Sequence, residues 1–285
     1  MCFLSWLFYL YSLHIQDIAN VRYICRNISS VASYNETKIT KLLNSIKHET
    51  VLLASWLEGI GISRDLQKHY RNSGWLETMG RGATKRPGEI VNWQGGLYAL
   101  QYQAKLNVHA GAVTALSLQG FSHYFRLGEE KIFIFTSRKM GLPKWFLTYK
   151  WGYQISQQIT NFLPMDIGLV EHEEKNFTIK ISSPERAMFE CLYLVPNSFD
   201  LIECFHLMEG LANLRPKLIQ ELLQKCSSIK VKRLFFYLSE KANHSWFQFI
   251  DIPSVDIGSG NRRIAEGGTY IAKYQITIPN ELAVL

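Results

Sequence analysis

The chain has 285 residues but only five cysteines: Cys2, Cys25, Cys191, Cys204 and Cys226. They are odd in number and widely spaced, and no C-x-x-C occurs. Neither a disulfide framework nor a zinc site is therefore indicated, and a reducing cytoplasm fits best. No apolar run reaches the roughly 20 residues that a membrane-crossing helix needs. The most apolar stretch, Met1–Ile15, breaks at Ser12–His14 and has no basic residue ahead of it, as a signal peptide would. No period of 20–50 residues repeats, so solenoids and propellers are not suggested. With 19% charged and 47% hydrophobic residues, the chain is not a disordered tail, a collagen-like fibre or a coiled-coil rod. The length favours two domains over one. A net charge of +7 admits a polyanionic partner.

Residues 1–34 stand apart from the rest. No methionine lies between Met1 and Met79. The expectation is that translation starts at a non-ATG codon near residues 30–35, leaving 1–34 as an extension outside the functional protein.

From Asn35 onward the pattern is helical. Asn35 can cap a helix carrying Ile39, Leu42, Leu43 and Ile46 on one face. Thr50 is predicted to cap a second helix with Leu52, Leu53, Trp56 and Leu57, stopped at Gly59–Ile60–Gly61. Ser63 then caps a third, running to about Asn72. At about 100° per residue, Ile62, Leu66 and Tyr70 share one side of it. Arg64, Lys68 and Arg71 share the other, with Gln67 and Asn72 at the flanks. Such a helix can lie in a major groove with phosphates and base edges in reach. Trp75–Met79 and Glu89–Val91 read as two strands joined by a basic, glycine-rich tip with Arg81, Lys85 and Arg86. Between Ile62 and Arg86 six basic residues face two acidic ones. A helix-turn-helix followed by a basic hairpin points to double-stranded DNA, although any soluble helix has a charged face. Trp56, Trp75 and Trp93 are expected in a core or an interface.

The run Gly61-Ile-Ser-Arg-Asp-Leu-Gln-Lys-His-Tyr-Arg-Asn-Ser-Gly-Trp-Leu76 resembles the winged helix of AbiEi-type antitoxins of type IV toxin–antitoxin systems. The likeness continues in order through Trp93–Gln101, Val108–Leu116, Gly120–Tyr124, Ser182–Glu190, Lys232–Leu234 and Asp256–Arg263. One departure is Ala112, where a second glycine would be expected after Gly111. The resemblance implies a DNA-binding autorepressor that binds repeats in its own promoter. It also implies an antitoxin opposing a nucleotidyltransferase-like toxin, direct contact with which is not required. Carried onto this chain, the DNA contacts are Arg64, Gln67, Lys68 and Arg71, with Arg81, Lys85 and Arg86 on phosphates. No cofactor, metal, membrane or enzymatic activity is implied.

The expected architecture is α+β: a winged helix-turn-helix over 35–92, then a larger mixed α/β domain over 93–285. In the second part Trp93–Leu106, Gly111–Leu118, Pro184–Leu194, Ser198–Met208, Arg215–Lys225 and Ile229–Glu240 read as helices. Lys131–Phe135, Phe177–Ile181 and Tyr270–Ile278 read as strands. Ser183-Pro-Glu-Arg186 reads as a helix start with a cap, a first-turn proline and an Arg186–Glu190 pair. Two alternatives stay open. Asp166, Glu173 and Lys175 loosely match a metal-dependent nuclease, or the chain is a module that binds the toxin directly. Gly258-Ser-Gly260 ahead of Arg262 and Arg263 reads as a phosphate-holding backbone nest or, more cheaply, as a plain turn. His109 and His123 with Ser117 and Ser122 do not make a triad.

Overall fold

The computed structural model describes residues 38–121, 131–137 and 141–285. The extension, the Asn35 cap, Ser122 and His123 lie outside the described residues. The chain divides at Ile46 into two units. The described part of the first is helix α1 (Lys38–Ser45), with Ile39 and Leu42 buried.

The second unit, Lys47–Leu285, opens with a small antiparallel sheet. Strand β1 (Leu52–Leu53) is followed by α2 (Ala54–Gly59) and α3 (Arg64–Asn72), then by β2 (Glu77–Gly80) and β3 (Ala83–Lys85) in the order β1-β3-β2. The helix expected at Thr50 therefore begins at Ala54 instead. Leu52 and Leu53 bury both side chains while pairing with Thr84 and Ala83, and Gln103 Oε1 accepts from the Leu53 N–H at 2.8 Å. An apolar pair at helical spacing also satisfies a short buried strand, and here the third strand wins. Gly59 does end α2, and Gly61 follows at φ +89°. Ser63 does cap α3, accepting from the Leu66 N–H at 3.3 Å.

The hairpin is tighter than expected. Gly82 at φ +84° permits a turn at Arg81–Gly82, so Ala83–Lys85 forms the return strand and Glu89–Val91 is not in the sheet. Gly80 is needed where it stands, since a Cβ there would lie 2.7 Å from Trp145 Cβ.

A five-stranded mixed sheet organises the rest. It comprises β4 (Val108–Ala110), β5 (Lys131–Thr136), β6 (Gln154–Ile159), β7 (Leu169–Glu173) and β8 (Thr178–Ser182), in the order β6-β5-β4-β8-β7. Helix α4 (Trp93–Tyr98) runs into a π-helical turn at Ala99–Gln103 and precedes β4. Helices α5 (Ala112–Leu118), α7 (Pro184–Leu194), α8 (Leu201–Gly210), α9 (Pro216–Lys225) and α10 (Ile229–Ala242) form the helical part, and the short α6 (Lys144–Thr148) lies between β5 and β6. The α+β class holds. Helix α8 starts at Leu201 rather than Ser198 because Asp200 and Glu203 build a capping box there. The expected strand Tyr270–Ile278 is a hairpin of β10 (Thr269–Ile271) and β11 (Ile276–Ile278), with Gln275 at φ +50° between them. Strand β9 (Arg262–Arg263) pairs with β11 in parallel, and α11 (Asn280–Val284) ends the chain. The buried core is continuous from Val51 through Trp93 to Leu282.

Candidate nucleic-acid interface

Helix α3 carries its cations on the face opposite its packing side. Ile62 and Tyr70 are buried, while Arg64 and Lys68 are exposed and Arg71 is half-buried. Spaced at i, i+4 and i+7, the three fall within one narrow sector of the helix. Arg64 Nε lies 2.7 Å from Glu58 Oε1 on α2, and both side chains are solvent-accessible. An exposed pair of this kind is screened by salt and exchanges readily for a phosphate. Lys68 and Arg71 have no acidic partner among the described residues.

Gln67 departs from its expected place on the exposed flank. It is 1% exposed, and its amide donates to the carbonyls of Ala54 (3.0 Å) and Ile62 (2.9 Å). Both carbonyls belong to the turn region around α2, so Gln67 fastens the two helices at their crossing. Gln67→Ala would remove both of these buried hydrogen bonds, an expected loss of about 1–3 kcal/mol in chemical denaturation. Specific DNA contacts would be expected to survive in the folded fraction.

The hairpin cations separate in the same way. Arg81 sits exposed in the turn, as expected of a tip residue. Lys85 is buried in β3 instead of lying in a loop. Its Nζ donates to the Glu89 carbonyl at 2.7 Å and lies 3.2 Å from Glu77 Oε2. Arg86 is largely covered, with Nη1 3.3 Å from Glu89 Oε1 and hydrogen-bonded to the His48 ring. The cause is the tighter turn, which draws both residues out of the tip and onto the acids beside the sheet. Trp93 is buried, Trp56 packs half-buried on the core, and Trp75 is 47% exposed just after α3.

Elsewhere in the chain lies a buried polar cluster that sequence spacing only half revealed. The Arg186–Glu190 pair exists, Nε to Oε1 at 2.8 Å, inside the protein. Glu190 Oε1 also accepts from His109 Nε2 at 2.8 Å, and Oε2 accepts from Ser182 Oγ at 2.7 Å and from the Ala112 N–H at 2.9 Å. Arg186 Nη1 donates to the carbonyls of Pro164 and Ile167. Burial drives the His109 pKa down against the pull of Glu190, so the ring is neutral and donates Nε2–H. That tautomer leaves a bare acceptor at the buried Nδ1, which has no partner among the described residues. Burial pushes the Glu190 carboxyl up, but the Arg186 guanidinium and the donors around it, His109 Nε2–H among them, hold it below the usual carboxylate range. Ala112 adopts φ +50°, a conformation that suits the glycine expected there, and its N–H bond to Glu190 holds it in place.

The Gly258-Ser-Gly260 turn is the reverse of an anion nest. The buried Arg233 donates to the carbonyls of Ile257 (2.8 Å), Gly258 (3.0 Å) and Gly260 (2.6 Å), so carbonyl oxygens point inward at a cation. Gly258 N–H is taken by Asp256 Oδ1. Asp166, Glu173 and Lys175 are exposed, with Asp166 ahead of β7 and Glu173 at its far end. Among the described residues no three His, Cys, Asp or Glu side chains group to hold a metal. Cys191, Cys204 and Cys226 are buried and free, with burial raising their thiol pKa values. No described helix is long and apolar enough to cross a membrane.

Two helices joined by a tight turn, the second cationic on its exposed face, followed by an arginine-tipped hairpin, make a winged helix-turn-helix arrangement. Two family models match the chain. The transcriptional-regulator AbiEi antitoxin of type IV toxin–antitoxin systems matches residues 129–279, and the AbiEi antitoxin N-terminal domain matches residues 35–127. The chain belongs to the AbiEi antitoxin family of transcriptional regulators. No curated protein matches the sequence. Among solved structures, the crystal structure of the RV2827C protein from Mycobacterium tuberculosis is similar, with a TM-score of 0.54 at 15% identity. The match covers 80% of this chain and 86% of that one, and it speaks for the fold alone.

Proposed function

We propose that the chain represses transcription of its own operon by binding repeats in its promoter, and that it serves as the antitoxin to a nucleotidyltransferase-like toxin. The observation that carries the DNA half is the separation of cations on the module. Arg64, Lys68 and Arg71 on α3 and Arg81 on the wing present charge to solvent, whereas Gln67, Lys85 and Arg86 are taken up by the fold. In this reading α3 enters the major groove, Arg64 and Arg71 reach base edges or phosphates, and Arg81 grips a flanking phosphate. The module corresponds to residues 35–92, and the antitoxin activity rests with residues 93–285.

The test is a mobility shift of the full chain on its own upstream DNA, against random DNA of equal length and at several salt concentrations. Retention of the upstream fragment at least about a thousandfold tighter than random DNA is expected for a specific regulator. Equal affinity for both would leave only the charge-driven, non-specific component. It would turn attention to the second domain and a protein partner.

A further inference from the structure

We propose that a recess between the α4 π-turn and the β7–β8 hairpin is a binding site for an organic cation, an alkylammonium or guanidinium group held by aromatic rings and carboxylates. The recess is open to solvent, has a volume of about 350 Å³ and is lined by Tyr98, Tyr102 and Phe177, by Glu173 and Glu174, and by Lys47. It does not depend on the DNA-binding face.

Local sequence builds the aromatic walls. Tyr98 and Tyr102 are four residues apart and meet on one side of the helical segment, with ring centroids 4.8 Å apart. Phe177 stands just ahead of β8, its ring 5.2 Å from Tyr98. The planes are inclined by 31° and 49°, so the three rings pack together as a tilted cluster that forms the aromatic side of the recess. The turn that joins the hairpin is closed by the Glu174 N–H donating to the Phe177 carbonyl at 2.8 Å. That turn sets Glu173 and Glu174 at the rim beside Phe177.

Chemistry selects the ligand. Two carboxylates repel an anion, and a purely apolar ligand would strip water from them without replacing it. A cation gains from both features, since aromatic faces attract it electrostatically and the carboxylates neutralise it. One cationic group opposes it, Lys47 at the rim, and the His172 ring stands beside the carboxylates, its Nε2 3.6 Å from Glu174 Oε1. The recess is of the size that takes a charged head and a short stem.

The full chain is titrated with N-acetyl-trimethyllysine amide, N-acetyl-arginine amide, spermidine and the neutral tert-butyl isostere of trimethyllysine, followed by tyrosine fluorescence and ligand-detected NMR. At least one cation is expected to bind in about the millimolar range, roughly tenfold tighter than the isostere. Tyr102→Leu and the pair Glu173→Gln/Glu174→Gln are expected to weaken it about fivefold or more, and Lys47→Ala to tighten it. Tyr102 and both glutamates reach solvent, so these variants should fold. Preference for the amino-acid amides marks a protein side chain as the source, and preference for spermidine marks a free polyamine. Isostere and cation binding alike, no binding below about 20 mM, or variants indistinguishable from the parent would overturn the site.

Discussion

Glu190→Ala is expected to lower stability by about 3–5 kcal/mol, because it strands a buried arginine and several donors at once. Glu190 is fully buried and collects hydrogen bonds from Arg186, His109, Ser182 and Ala112. These partners come from α7, β4, β8 and the start of α5, so one carboxylate ties the sheet to the helices that cover it. In a chain of this size the loss corresponds to a melting temperature lower by about 10 °C, measurable by near-UV circular dichroism. Arg186→Met/Glu190→Leu should recover much of the loss, since exchanging a whole buried ion pair for apolar packing is far milder than removing half of it. A double variant as unstable as the sum of the singles would show that the residues act independently.

The same carboxylate sets an acid limit. Its pKa is depressed in the folded state, so its stabilisation is fully present above the ordinary carboxylate range. It is lost as the pH falls through that range towards the folded value. Wild-type unfolding monitored from pH 6 down to pH 2 should therefore steepen below about pH 4.5, and Glu190→Gln should flatten that limb.

How much of this the sequence disclosed depends on how far apart the partners lie. Local signals were legible. Ser63 and Ser183 cap helices as their positions suggested, Pro216 opens α9, and Arg186 meets Glu190 across one turn. The π-turn after Tyr98 and the β1 strand were not, because a run of apolar residues satisfies several backbone states until a third strand or a neighbouring sheet selects one. The largest misplacement came from a single glycine. Reading the tip as a long loop put Lys85 and Arg86 in solvent, whereas Gly82 closes the turn early and hands them to Glu77 and Glu89. The cluster partners His109 and Glu190 are 81 residues apart, and Arg233 reaches a turn about 25 residues on. No periodicity carries such pairings. On α3 the error was angular: Gln67 lies near the edge of the cationic sector, and one donor-hungry pair of carbonyls was enough to turn it inward.

Alanine at Arg64, Lys68 and Arg71 together is expected to weaken binding to the upstream DNA by about a thousandfold, on the basis of roughly tenfold for each lost contact. The argument rests on where each cation ends. A cation that reaches a phosphate displaces condensed counterions, so each lost contact should reduce the slope of log affinity against log salt by about 0.9. The triple variant should then lower the slope by about 3 if all three touch phosphate, and by less for every residue that reads a base edge instead. A base-reading residue announces itself by relaxed preference at one operator position with the slope nearly intact. Arg81→Ala should weaken all sequences alike and lower the slope by about one, as befits a solvent-exposed wing arginine. Lys85→Ala should leave the slope unchanged, because its ammonium is held by the Glu89 carbonyl and Glu77, and should instead loosen the hairpin. A Lys85 variant with a reduced slope beside an unaltered Arg81 variant would invert this assignment. The wing would then have to open before it binds.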